Sequence, residues 1–116
     1  LLFPGGGYSL IDDTVRRLED NEEVQRLVGK GKFAVYGLGD GHHNTRRRPW
    51  IEKKILPDGR NMVDAAFYIE GDLNKAKVVV EAIEQEDGTW KDEYLSIEVP
   101  GMPKKILAQP VIKPTP

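Results

Sequence analysis

Residues 76–99 read AKVVVEAIEQEDGTWKDEYLSIEV, and this segment determines the predicted fold class. Its first half is rich in valine, and its second half alternates Leu95, Ile97 and Val99 with polar or aromatic residues. A period of two over such lengths is typical of half-buried β-strands. The residues Glu-Asp-Gly at 86–88 form a turn signal between the two halves. The segment therefore predicts a β-hairpin.

A second hairpin is predicted before the first. Residues 50–56 and 62–70 have the composition of strands, and Pro57-Asp58-Gly59-Arg60 between them has the composition of a turn. Short strands are predicted at 33–36 and at 106–108, so that the sheet has short edge strands in addition to the two hairpins.

Two short amphipathic helices are predicted ahead of the strands. A cap at Ser9 begins the first helix, and a cap at Asp20 begins the second, which ends at Gly29. The first helix carries an apolar stripe formed by Ile11, Val15 and Leu18. Helices followed by hairpin-connected strands predict an α+β domain, in which an antiparallel sheet has both N-terminal helices packed on one face.

The length of 116 residues and the absence of cysteine limit the possible classes of protein. A chain of this size forms one domain, and without cysteine it has no disulfide, cysteine-ligated zinc site or thiol nucleophile. No apolar run reaches the roughly 20 residues of a membrane span. We expect a flexible tether at 1–8, one α+β domain at 9–109 and a proline-rich tail at 110–116.

No residue pattern predicts catalysis, a cofactor or a metal. The glycine-rich segment Gly37–Gly41 is not followed by a helix or by the Lys-Ser or Lys-Thr of a phosphate-binding loop. The adjacent His42 and His43 have no spaced partner to complete a metal site. Ser9 and Ser96 are not in a nucleophile-elbow pattern. We therefore expect a protein that is not an enzyme, and the alternative from another class is a small enzyme built on Gly37–Gly41.

The net charge of −2 hides a polarised chain. Residues 32–60 carry seven basic and three acidic side chains, whereas residues 61–100 carry three basic and ten acidic ones. The acidic excess and the isoelectric point of about 5.7 argue against nucleic acid as a partner. Either a solvated surface or a site for a short acidic partner would account for the basic group, which consists of Arg46, Arg47, Arg48, Lys53, Lys54 and Arg60.

Several motifs between Asp20 and Pro110 resemble those of a known family, the Tim-twenty-one subunits of the mitochondrial presequence translocase, in their intermembrane-space domain. In chain order they are Asp20, Val24, Leu27 and Gly29; Ala34, Tyr36 and Gly37; Arg46-Arg47-Arg48-Pro49; Asp58-Gly59-Arg60; Ala76-Lys77-Val78 with Glu81; and Val99-Pro100-Gly101. The order and spacing of these motifs are more specific than any one of them.

The resemblance implies a non-enzymatic binding module at the mitochondrial inner membrane, facing the intermembrane space. It implies an anchoring transmembrane segment that is absent from this chain. The implied partners are proteins: the inner-membrane translocase, the acidic tail of an outer-membrane receptor and respiratory-chain complexes. The implied partner-binding residues are Arg46 and Arg48, with neighbouring Lys53 and Lys54. The alternative is an assembly factor of the related cytochrome oxidase assembly family.

Overall fold

The computed structural model describes residues 7–37 and 49–109. Within these residues, two helices are followed by six strands: α1 (Gly7–Glu19), α2 (Glu22–Val28), β1 (Ala34–Tyr36), β2 (Trp50–Ile55), β3 (Asn61–Glu70), β4 (Lys75–Glu84), β5 (Trp90–Glu98) and β6 (Lys105–Ala108). All pairings in the sheet are antiparallel. The predicted α+β class, with its two hairpins and short edge strands, is confirmed.

The sheet has the strand order β1-β3-β4-β5-β6, and β2 also pairs with β3. β1 pairs with one end of β3, where Tyr36 lies opposite Tyr68. β2 pairs with the rest of β3, starting with Trp50 opposite Ala66. β1 and β2 therefore share one edge of β3, and the segment between them begins and ends at nearly the same point of that edge.

The core lies between the helices and one face of the sheet. Alternate residues of each long strand point toward the helices, because successive side chains in a strand point to opposite faces. The fully buried side chains of this core include Leu10, Leu18, Val24 and Val28 from the helices and Val63, Phe67, Ile69, Val78, Val80 and Ile97 from the strands. The predicted stripe of α1 is buried in the same core.

Both helices begin at other residues than the caps predicted from the sequence. α1 begins at Gly7, and Ser9 lies inside it, where its hydroxyl accepts a long hydrogen bond from Trp90 Nε1 at 3.4 Å. The cap of α2 is Asn21, whose Oδ1 accepts from the backbone N–H of Val24 at 3.1 Å. Asp20 instead belongs to the end of α1, because its N–H donates to the carbonyl of Arg16.

A register shift in the β4–β5 pair changes which residues face the helices. Glu81 lies opposite Tyr94, whereas Ala82 lies opposite Asp92, so one residue of β5 is extra. Such a bulge reverses the alternation beyond it. Asp92 therefore lies on the helix side, where Arg17 of α1 donates to its two carboxylate oxygens at 2.7 and 3.1 Å. This bidentate ion pair links α1 to the sheet.

Candidate protein-binding site

The structure places the two predicted lysines on opposite faces of β2. Lys53 lies opposite Val63, a core residue, on the side of the helices. Lys54 lies opposite Met62 on the face without helices. Both residues are exposed, and they are not brought together into one patch. The predicted Arg46 and Arg48 lie outside the described residues, as do His42, His43 and most of Gly37–Gly41.

Lys54 belongs to an acidic neighbourhood. Its Nζ lies 3.0 Å from Asp64 Oδ2. This contact, followed by the charge of Asp64, raises the pKa of Lys54 above its ordinary value. Glu52, Asp64 and Glu81 lie side by side across β2, β3 and β4. Because these carboxylates offset the positive charge of Lys54, Lys54 attracts an acidic peptide only weakly.

The crowding of these carboxylates raises the pKa of Glu81. Its hydrogen bond with Asp64 raises its pKa, and burial and the negative charge of Asp64 act in the same direction. The positive charge of Lys54 acts in the opposite direction. The sequence did not predict the row formed by Glu52, Asp64 and Glu81, because the row depends on the register of three strands, although the strands themselves were predicted.

Two concavities among the described residues were also not predicted from the sequence. A polar groove of about 630 Å³ lies between α1 and the β4–β5 turn, and it is bridged by the Arg17–Asp92 ion pair. A smaller pocket of about 170 Å³ lies between α2 and the β5–β6 connection, with Leu27, Ile97, Val99 and Met102 among its lining. Its lining comes from segments far apart in the chain, so no local pattern predicts it.

Neither a candidate metal site nor a candidate membrane span is found among the described residues. Within residues 7–37 and 49–109, no three histidine, cysteine or carboxylate side chains are grouped so that they could hold a metal ion. Neither helix of that part of the chain is long and apolar enough to cross a membrane.

Comparison with known proteins identifies the family. The model of the TIM21 family matches residues 1–111. A mitochondrial import inner membrane translocase subunit TIM21 from Yarrowia lipolytica is 27% identical over 87% of this chain and 39% of its own length. Its counterpart from Aspergillus fumigatus is 30% identical over 89% of this chain and 45% of its own length. The chain thus spans roughly two-fifths of these curated relatives.

Solved structures share the fold. A solution structure of the intermembrane-space domain of Tim21 from S. cerevisiae has a TM-score of 0.76 and 26% identity, and the match covers 95% of each chain. Another structure of that domain has a TM-score of 0.74 and 24% identity, covering 94% of this chain and 97% of the other. The predicted localisation, at the mitochondrial inner membrane and facing the intermembrane space, agrees with these names. The chain belongs to the TIM21 family.

Proposed function

We propose that this domain is a non-enzymatic binding module of the mitochondrial inner-membrane presequence translocase. Its partner in the intermembrane space is the acidic tail of an outer-membrane translocase receptor, and it also connects import to respiratory-chain complexes. The observation that carries the proposal is the family match over residues 1–111. In the full-length protein a transmembrane segment outside this chain anchors the domain.

The basic segment supports the proposed contact with an acidic tail. Residues 46–48 are three consecutive arginines, and in the chain they closely precede β2, which begins at Trp50. Lys53 follows in β2. Because Asp64 compensates the charge of Lys54, we expect Lys54 to contribute little to binding of the acidic tail.

The names of the relatives favour import over cytochrome oxidase assembly. The relatives are import translocase subunits by name. Respiratory-chain complexes are additional partners of the same module in this proposal.

The receptor contact is tested by titrating the domain into a labelled peptide of the receptor's acidic tail. We expect the double variant R46E/R48E to weaken binding at least tenfold at low salt and to reduce its salt dependence, because two cations that attract the peptide are reversed.

The matched control is R16E/K91E, which makes the same charge change at two exposed residues on another part of the surface. The control should bind more tightly than R46E/R48E. Equal affinities for the two double variants would mean that only total charge matters, and the assignment of Arg46 and Arg48 would be wrong.

A further inference from the structure

The pocket between α2 and the β5–β6 connection is apolar and open. Its floor contains the buried side chains of Ile97 and Val99, at the end of β5. Leu27 of α2 forms one side, and it is only partly buried although it packs against the core. Met102 forms the other side and is 45% exposed. The fold thus leaves a concave apolar surface in contact with water, which costs free energy unless something covers it.

The volume of the pocket limits its occupant. Pockets for drug-sized ligands and cofactors occupy roughly 300–1,000 Å³. This pocket has about 170 Å³, which suits one large apolar side chain. A protein partner that inserts a single anchoring residue fits this size, as anchoring side chains commonly do at protein interfaces.

The charge around the pocket is positive. Lys104 and Lys105 belong to its lining. Lys105 Nζ forms an ion pair with Glu23 Oε2 of α2 at 2.7 Å, whereas Lys104 has no ion pair with any residue that the structure describes. On the other side, Leu27 is flanked in the sequence by Arg26, Lys30 and Lys32, of which Lys32 lies 3.7 Å from Glu19 Oε1. The complementary partner is therefore negatively charged.

We propose that this pocket anchors one aliphatic or aromatic side chain of an acidic partner segment, whose carboxylates contact Lys104 and its basic neighbours. The site goes beyond the proposed receptor contact, because it lies between α2 and the β5–β6 connection, across the sheet from β2. Three strand spacings of about 4.8 Å separate β5 from β2, which is roughly 14 Å. The two sites can therefore be disabled separately.

The probe is a short peptide of aspartate and glutamate with one central leucine, and its control is the same peptide with serine in place of leucine. We expect the leucine peptide to shift the amide resonances of Leu27, Val99, Met102 and Lys104 in the isotope-labelled domain. The serine peptide should lose most of this effect. Equal binding of both peptides, or no shift at the pocket with the leucine peptide, would overturn the proposal.

Two variants distinguish the pocket from general charge effects. M102E places a carboxylate at the mouth of the pocket and should weaken binding of the leucine peptide at least tenfold. I55E makes the same change at an apolar residue that is 77% exposed at the end of β2, and it should leave binding unchanged. Equal losses in the two variants would contradict the assignment.

Two further measurements separate the alternatives. R46E/R48E should weaken binding of the receptor peptide and leave leucine-dependent binding at the pocket intact. Failure of the unmodified domain to bind the receptor peptide would refute the proposed function without touching this inference. Deleting residues 110–116 should leave the pocket resonances in place. Large shifts at Leu27 and Met102 after that deletion would mean that the chain's own tail fills the pocket, and the proposal would be wrong.

Discussion

Glu81 and Asp64 lie directly opposite each other on neighbouring strands, and both are carboxylates. Glu52, Lys54 and Glu93 are the other charged groups around this pair. Lys54 compensates one negative charge, and the pKa of Glu81 is raised chiefly by its hydrogen bond with Asp64. Carboxylates placed side by side disfavour the state in which both are ionised. The pair therefore makes stability depend on pH.

The sign of this dependence follows from linkage. The folded state holds the Glu81 proton more tightly than the unfolded chain, whose ordinary pKa is 4.5. Its stabilising contribution is therefore complete below pH 4.5 and is lost as the pH rises through the folded-state pKa. The substitution Glu81→Gln keeps a hydrogen-bond donor at every pH. We expect it to raise the free energy of unfolding at pH 7 by about 0.2–1 kcal/mol, and to give no gain below pH 4.5.

Urea denaturation at the two pH values measures this effect. Glu98→Gln is the control, because Glu98 lies on the same face but opposite Lys77. It should give no gain in stability at pH 7. A Glu81→Gln variant that is less stable than the parent at pH 7 would contradict the account of this pair.

At the level of single residues, part of the candidate site follows from the sequence. Adjacent residues in a strand point to opposite faces, so the predicted strand at 50–56 already implies that Lys53 and Lys54 lie apart. The ion pair of Lys54 with Asp64 does not follow, since it depends on a diagonal contact set by the register of the hairpin.

At the level of elements, α2 ends against the β3–β4 turn. The carbonyl of Val28 accepts from the N–H of Leu73 at 2.9 Å, and the side-chain amide of Asn74 donates to the carbonyl of Leu27 at 2.6 Å. Gly29 follows with a φ of 127°, and a Cβ there would lie 2.7 Å from the backbone nitrogen of Asp72. The close approach of helix and turn therefore requires glycine at this position.

We expect Gly29→Ala to destabilise the domain by about 2–4 kcal/mol, because it combines a strained backbone with a clash against main-chain atoms. Gly88→Ala is the matched control: Gly88 also has a positive φ, 87°, but no atom lies within 4 Å of a Cβ there. It should cost about 1 kcal/mol from backbone strain alone. Thermal and urea denaturation measure both losses, and equal losses would show that the contact with the turn contributes nothing.

The elements were predictable where alternation is strong. All six strands begin within one residue of the predicted position, because each predicted run is rich in strand-forming residues and most are bounded by turn residues. The start of α2 was not predictable, because Asp20 and Asn21 are both good caps and only the end of α1 decides between them. The bulge near Ala82 was also missed, because it depends on how β5 pairs and not on its own sequence.

At the level of the whole molecule, the sequence motifs indicated the correct family, and the family match confirms it. The charges counted segment by segment predicted that the partner is acidic, but they did not predict where the partner docks. The apolar pocket brings together Leu27 and residues 97–105, which only tertiary packing makes neighbours. Surface sites of this kind are assembled by the fold, and no local pattern specifies them.

The most direct test of the proposed function is affinity isolation of the full-length protein that contains this domain from mild-detergent extracts of mitochondria. We expect the pore-forming subunits of the inner-membrane translocase to co-isolate with it, and we expect R46E/R48E to reduce the amount of outer-membrane receptor in the isolate while the pore subunits stay. Co-isolation with cytochrome oxidase assembly intermediates alone, without any translocase subunit, would contradict it.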